Sequence, residues 1–362
     1  MKLQIITFNT AASIPSQISK LDPLFPCIQI PNLIVFAFQE LLAHSNLIIY
    51  SRPNETCNPN IKNSILNDWL IKIQETLDQR FTTNKFQCVF SNRTCALGLL
   101  IFESSPSLIK SASFGSIGSG LGGWYRNKGA LSIVLNVKIE SRTLSICFIG
   151  AHLQAHQGAH NNNYRNEEIK YIFDALVVEE RFVNDNNVVF LAGDLNYRIN
   201  MTDIHKSINA NDIDAILQHD ELTQNMSLDL FNGYVESPIS FPPTYKLSCQ
   251  NVYSKKRLPA YCDRILYKYD PDVQVNCEYY SSCEVFGSDH LPVVGMFEIL
   301  VKPDIERLRR RTTTGDNDFK KGDGFDRDRV LKALRRRVFK YTIVPTAAIL
   351  FLIYLIRKFL GI

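Results

Sequence analysis

What most limits the folds open to this chain is a series of short apolar or alternating segments across residues 1 to 301, several of which run into a polar residue. Segments 4–9, 33–39, 95–103, 129–137, 143–151, 188–192, 264–268 and 291–299 have strand length and strand composition. Only two stretches carry helical spacing. Residues 63–81 place Ile65, Leu66, Trp69, Leu70, Ile73 and Leu77 on one face, and residues 167–182 do the same with Ile169, Ile172, Phe173, Leu176 and Val177. Several strand pairs are too close in sequence for parallel crossovers, so the expected architecture is two largely antiparallel or mixed sheets packed together with helices outside.

The polar residues at the strand ends point to chemistry. Asn9 follows "LQIITF", Glu40 follows "IVFAFQ", His152 follows "LSICFIGA", Asp194 and Asn196 follow "VVFLAG", and Asp289 and His290 stand in "GSDHLPV". If the extended backbone persists past Gly193, Asp194 and Asn196 share one face. Asp289 and His290, being adjacent, point opposite ways in a strand and divide their labour. Carboxylate and carboxamide oxygens suit Mg2+, and the absence of paired Cys or His spacing disfavours zinc.

The nine cysteines form no CxxC pair and suggest neither a disulfide framework nor a zinc site, which fits a reducing, cytosolic setting. "MKLQIITFNT" lacks a signal-peptide cleavage site. The sequons at Asn54, Asn92, Asn200 and Asn225 are therefore expected to be chance matches. After the globular region, residues 302–337 are polar and charged, as a flexible linker would be. "YTIVPTAAILFLIYLI", from Tyr341, carries no charge and would span roughly 24 Å as a helix, a length suited to a thin bilayer. With Arg335, Arg336 and Arg337 before it, residues 338–358 are expected to be a single-pass tail anchor in the endoplasmic reticulum membrane, leaving the catalytic region, residues 1–301, in the cytoplasm.

The motifs resemble a known family. "FLAGDLNYRI" and "PAYCDRIL" look like the two signatures of the magnesium-dependent inositol polyphosphate 5-phosphatases, within the DNase I-like, exonuclease-endonuclease-phosphatase superfamily. "TFNT", "FQE", "YRNKGAL", "HLQAH", "PPTYK" and "SDHLPV" follow the family's order over about residues 1 to 300. The resemblance implies an α/β, four-layer αββα sandwich. It implies Glu40 on Mg2+, with Asn9, Asn196 and Asp289 helping to hold the metal or the scissile phosphate. Asp194 would orient and deprotonate the attacking water, His152 and His290 would contact phosphoryl oxygens, and Asp263 would buttress His290. The implied substrate is phosphatidylinositol 4,5-bisphosphate, which would lose its 5-phosphate at a membrane.

A polyphosphorylated ring needs several cations at once. Lys128, Lys246, Lys255, Lys256, Arg257 and Arg264 lie in or beside the matched segments. Lys246, with Lys255 or Lys256, is implied for the 4-phosphate. The sequence departs from the pattern at Leu291, where an arginine is common, at Tyr261 for tryptophan, and at Ala130 for a second glycine. "GSGLGG" (118–123) leads into a strand instead of opening a helix, so it is read as a mobile glycine loop carrying Trp124 and Tyr125, not as a nucleotide site. Alternative readings are a 5-phosphatase of the 3,4,5-trisphosphate lipid or of soluble inositol phosphates, a nuclease of the same superfamily, and a non-catalytic phosphoinositide-binding tether. The membrane anchor and "RNKG" speak against nucleic acid as a partner.

Overall fold

The computed structural model describes residues 1–26, 29–43, 55–56, 65–104, 108–120, 125–179, 181–248 and 251–302, and the expected linker and tail anchor lie outside them. Among the described residues no helix is long and apolar enough to cross a membrane. The strands are β1 (Lys2–Asn9), β2 (Leu33–Gln39), β3 (Glu55–Thr56), β4 (Gln87–Thr94), β5 (Leu97–Glu103), β6 (Ile109–Gly120), β7 (Tyr125–Ile139) and β8 (Arg142–His152). They continue with β9 (Val177–Val178), β10 (Arg181–Phe182), β11 (Val188–Asp194), β12 (Val235–Glu236), β13 (Asp263–Tyr269), β14 (Val273–Ser282) and β15 (Val293–Val301). The helices are α1 (Ile65–Arg80), α2 (Ala159–Ala175) and the short α3 (Ile204–Asn209), α4 (Ile213–Leu217) and α5 (Glu221–Asn225).

Two mixed sheets form the centre. One has the order β14-β15-β1-β2-β5-β4-β3 and the other β12-β13-β11-β8-β7-β6. Period-two alternation gives each sheet two apolar faces. Leu3 and Ile5 of β1, Val35 and Ala37 of β2, Phe148 of β8 and Phe190 of β11 meet in the core between the sheets. Ile6, Phe8, Phe36 and Phe38 face the other way and receive Leu66, Trp69, Ile73 and Leu77 of α1. On the far side Cys147, Ile149, Val189 and Leu191 are covered by Ile169, Ile172 and Phe173 of α2. The result is the expected αββα layering. Trp69 is a core residue, 5.7 Å from Phe8 and 5.1 Å from Phe38 between ring centroids.

The same topology gathers polar residues at one end of the sandwich. β1 and β2 run parallel, as do β8 and β11, so Asn9, Glu40, His152 and Asp194 all lie where these strands finish. β13 and β15 run antiparallel to β11 and β1 and therefore begin at that end, with Asp263 paired to Asp194 and His290 just before Val293. β7 places Gly129 opposite His152, which brings Lys128 alongside. Asn9, His152, Asp194 and Asp263 continue the inward-facing register of Ile5, Phe148, Phe190 and Ile265, so the inter-sheet face changes from apolar core to polar site within one strand period.

Three expectations about local geometry are corrected. β11 stops at Asp194, and Asn196 is left-handed at φ 56, so these residues do not share a face by strand alternation; a turn brings Asn196 back. Gly193 makes the close strand approach possible, since a Cβ there would stand 2.0 Å from the carbonyl oxygen of Ala151. Gly118 to Gly120 belong to β6 and not to a loop, while the placement of residues 121–124 and the side chain of Tyr125 lie outside the described residues. α2 begins eight residues earlier than its apolar spacing indicates, its first half, "AHNNNYRN", being held by polar contacts of Asn161, Asn162, Arg165 and Asn166. It ends at Ala175, with Val177–Val178 and Arg181–Phe182 forming β9 and β10 instead of continuing the helix to 182.

Candidate active site

Asp194 is the hub. It is 2% exposed; its Oδ2 accepts from Asn9 Nδ2 at 2.8 Å and lies 3.3 Å from His152 Nε2 and 3.9 Å from His290 Nε2, while its Oδ1 accepts from Asn196 N at 3.1 Å. Burial alone would raise this carboxyl, but His290, His152 and Lys128 beside it hold it well below the usual carboxylate range. Glu40 sits at the rim with a third of its side chain exposed, 3.6 Å from His152 Nε2. Its left-handed backbone is tied down by Thr10 Oγ1 and Ala12 N, which donate to its carbonyl at 3.0 and 2.8 Å.

His290 forms the second centre. Its Nδ1 meets Asp263 Oδ2 at 2.8 Å, and Thr244 Oγ1 donates to the same oxygen at 2.7 Å. Burial disfavours a charged imidazole, yet Asp263, Asp194 and Asp289 outweigh it and push His290 up to about 9. Burial pushes Asp263 up to about 6 against the pull of His290. Between these values the pair is carboxylate and imidazolium. His152 behaves oppositely: burial and the adjacent Lys128, whose Nζ contacts His152 Nε2, lower its pKa. Burial lowers that of Lys128 as well.

Asp194, Asp263 and His290 offer ligand atoms within 4.8 Å of one another, close enough to share an ion. A cationic ring already paired with Asp263 makes that trio a poor metal site. The oxygen donors on the other side fit better. Glu40 keeps an accessible carboxylate, and Asn9 Oδ1, which accepts from Ala11 N at 2.9 Å, retains a second lone pair. This set suits a hard cation such as Mg2+. Asp289 is engaged elsewhere, with Oδ2 bound to Lys246 Nζ at 2.5 Å and Oδ1 3.8 Å from His290 Nε2.

Among the expected substrate cations, Lys128 and Lys246 stand at the site. Burial lowers the Lys246 pKa, and the hydrogen bond to Asp289 overcomes it and raises it. Lys255, Lys256 and Arg257 are exposed, on a segment joined to Lys246 by Ser254 N donating to the Lys246 carbonyl at 2.9 Å. Arg264 must be removed from the substrate set. It is wholly buried, with Nη1 bound to Asp220 Oδ2 at 2.8 Å and Nε and Nη2 bound to Glu236 at 2.7 and 2.5 Å, so its donors are spent on the fold. Arg264→Met leaves both carboxylates without their cation, and chemical denaturation should register a loss of about 3–5 kcal/mol.

Sequence reasoning left four neighbours unassigned. Thr244 binds Asp263, and the Tyr245 ring lies 4.6 Å from that of His290. Ser288 Oγ donates to the Asn9 carbonyl at 2.7 Å and accepts from His290 N at 3.1 Å. Arg198 contacts Asn196. All four lie inside quoted motifs, but sequence spacing gives no sign of which residue supports which.

This chain is similar to the mouse type II inositol 1,4,5-trisphosphate 5-phosphatase, 28% identical over 300 residues, covering 78% of this chain and 28% of that protein. It is also similar to the phosphatidylinositol 4,5-bisphosphate 5-phosphatase INP51 of Saccharomyces cerevisiae, 28% identical over 263 residues, 70% of this chain and 27% of that one. It thus spans little more than a quarter of the length of either relative. Among solved structures, the inositol polyphosphate 5-phosphatase domain of a synaptojanin, in complex with inositol (1,4)-bisphosphate and calcium ion, shares the fold with a TM-score of 0.71 and 24% identity, covering 96% of this chain and 92% of that domain. The pattern of one family matches residues 6–296, nearly the whole described sandwich, and the chain therefore belongs to Endonuclease/Exonuclease/phosphatase family 2.

Proposed function

We propose that this protein is a Mg2+-dependent phosphoinositide 5-phosphatase that removes the 5-phosphate of phosphatidylinositol 4,5-bisphosphate at the cytosolic face of a membrane. The carrying observation is the buried carboxylate of Asp194, held ionised among Asn9, His152 and His290 with Glu40 nearby. Phosphate monoester hydrolysis asks a protein for in-line water and charge neutralisation, with little covalent work. Asp194 orients the water. His290, kept cationic by Asp263, and His152 with Lys128 donate toward phosphoryl oxygens, and Asn196 Nδ2 adds a neutral donor. Glu40 and Asn9 would hold Mg2+, which when bound supplies a Lewis acid for the phosphoryl charge.

Likeness to two 5-phosphatases supports the ring position, and Lys128 and Lys246 at the rim suit a substrate with more than one phosphate. The uncharged run from Tyr341, preceded by three arginines, supports a tail anchor in the endoplasmic reticulum membrane, which would hold the site near its lipid. The decisive assay gives the full chain phosphatidylinositol 4,5-bisphosphate and 3,4,5-trisphosphate in vesicles, soluble inositol phosphates and single- or double-stranded DNA. Expected is EDTA-sensitive phosphate release, fastest from the 4,5-bisphosphate, with phosphatidylinositol 4-phosphate as product. DNA cleavage, or binding without turnover, would overturn the reading.

A further inference from the structure

Arg198 lies in the segment after β11, 5% exposed, two residues beyond Asn196. A guanidinium only donates. Its Nε bonds to the Asn196 carbonyl at 3.1 Å and its Nη2 to Asn196 Oδ1 at 2.5 Å, while Asn196 Nδ2 donates to the Leu153 carbonyl at 3.1 Å. Since Arg198 cannot accept and a carbonyl cannot donate, the Asn196 carboxamide has one possible orientation. Its oxygen is committed to Arg198, and its nitrogen keeps a second N–H beyond the one given to Leu153.

Both the side chain and the backbone of Arg198 are held by neighbours. The centre of the Tyr245 ring lies 4.6 Å from Arg198 Cζ and 4.6 Å from that of the His290 ring, so one aromatic ring packs against both side chains. Glu221 Oε2 accepts from Arg198 N at 2.9 Å and from Arg165 Nη2 at 2.5 Å, and Glu221 N donates to the Arg198 carbonyl at 2.9 Å. Arg165 Nη1 in turn binds the carbonyls of Gln154 and His156 at 3.1 and 2.9 Å, joining the segments that follow β8 and β11.

We propose that Arg198 is a positioning residue that fixes which way round Asn196 presents its carboxamide, so that Asn196 serves the reaction as an N–H donor to a phosphate oxygen and not as a metal ligand. This rests on the phosphatase reading, and its test has one arm that does not. Loss of one such donor costs about 100-fold or more in kcat, so Arg198→Met should lower kcat by about that factor with KM within about threefold. Arg198→Lys, which keeps a charge and a donor, should restore about tenfold of it. Adding Asn196→Ala to Arg198→Met should cost less than about threefold more, because both remove the same interaction.

A raised KM with unchanged kcat would mean that Arg198 touches substrate, and multiplying losses would mean that it acts apart from Asn196; either overturns the proposal. Independently of activity, the ¹⁵N side-chain amide signal of Asn196, assigned by its absence in Asn196→Ala, should shift and exchange faster in Arg198→Met, and an unmoved signal overturns it too. If Arg198→Met does not fold, Arg198→Lys carries the same readouts. A wild-type chain that releases no phosphate refutes the phosphatase reading, while the amide signal still decides what Arg198 does to Asn196.

Discussion

Replacing Asp194 by asparagine is expected to lower phosphate release by about 100-fold or more, the cost of misplacing a reacting group. The substitution keeps shape and removes charge. His152 Nε2 at 3.3 Å and His290 Nε2 at 3.9 Å would lose the anion they share, and Asn9 Nδ2 would meet a group that must turn its own oxygen to accept. Turnover at saturating Mg2+ checks this, and a variant within tenfold of wild type would remove Asp194 from the chemistry. Stability supplies a second signature. A carboxylate whose folded pKa is depressed stabilises the fold above its unfolded value, about 3.9, and that contribution fades as pH falls below it. The variant should therefore be less stable than wild type at pH 7, with the gap closing below about pH 4.

The depressed pKa also narrows what Asp194 can do. A carboxylate stabilised this strongly by neighbouring cations is a weak base, and general-base efficiency follows basicity. In the proposed reaction its main part would be to orient the nucleophile, and deprotonation, expected of it from the family resemblance, would be the lesser part. The pH–rate profile should then show no acid limb from Asp194 between pH 5 and 7.

How far the site was legible in the sequence depended on register. Asn9, His152 and Asp194 end strands that are buried and largely apolar along their length, so their position could be read from composition alone. Their meeting could not, because it depends on β1 and β2, and β8 and β11, running parallel while β13 and β15 run back. The longer strands that escaped notice, β4, β6 and β14, sit at or near sheet edges and carry irregularities at Cys88/Phe90, Ile109/Ser111, Gly118/Gly120 and Cys277/Tyr279. An extra residue there moves the alternation to the other face and erases the period-two signal. Arg264 misled for a different reason: a basic residue inside a signature motif reads as a ligand contact until Asp220 and Glu236, distant in sequence, are seen to neutralise it.

Raising the pH through about 9 is expected to abolish the proposed phosphate release, with His290 as the titrating group. Burial works against a charged ring, so its retention of a proton to such high pH reflects Asp263 at 2.8 Å, Asp194 at 3.9 Å and Asp289 at 3.8 Å. In the proposed reaction the imidazolium would oppose the phosphoryl charge, and its neutralisation would remove that opposition. Asp263→Asn deletes the largest of the three supports, and the basic limb of kcat should move down by about one to two units, the size of shift a single close opposite charge produces. Since the ionised pair is buried beside Thr244, asparagine can still accept the Thr244 hydroxyl, which separates an electrostatic effect from collapse of the pocket. The sign of the stability change follows from the same shift. His290 binds its proton more tightly in the folded chain than the unfolded value of about 6.5, so its stabilisation is complete below that pH and is lost as pH rises through about 9. Denaturation of wild type and His290→Gln at pH 6, 8 and 10 should show a gap that shrinks toward pH 10. A basic limb that stays at the same pH in Asp263→Asn would mean that some group other than His290 sets it.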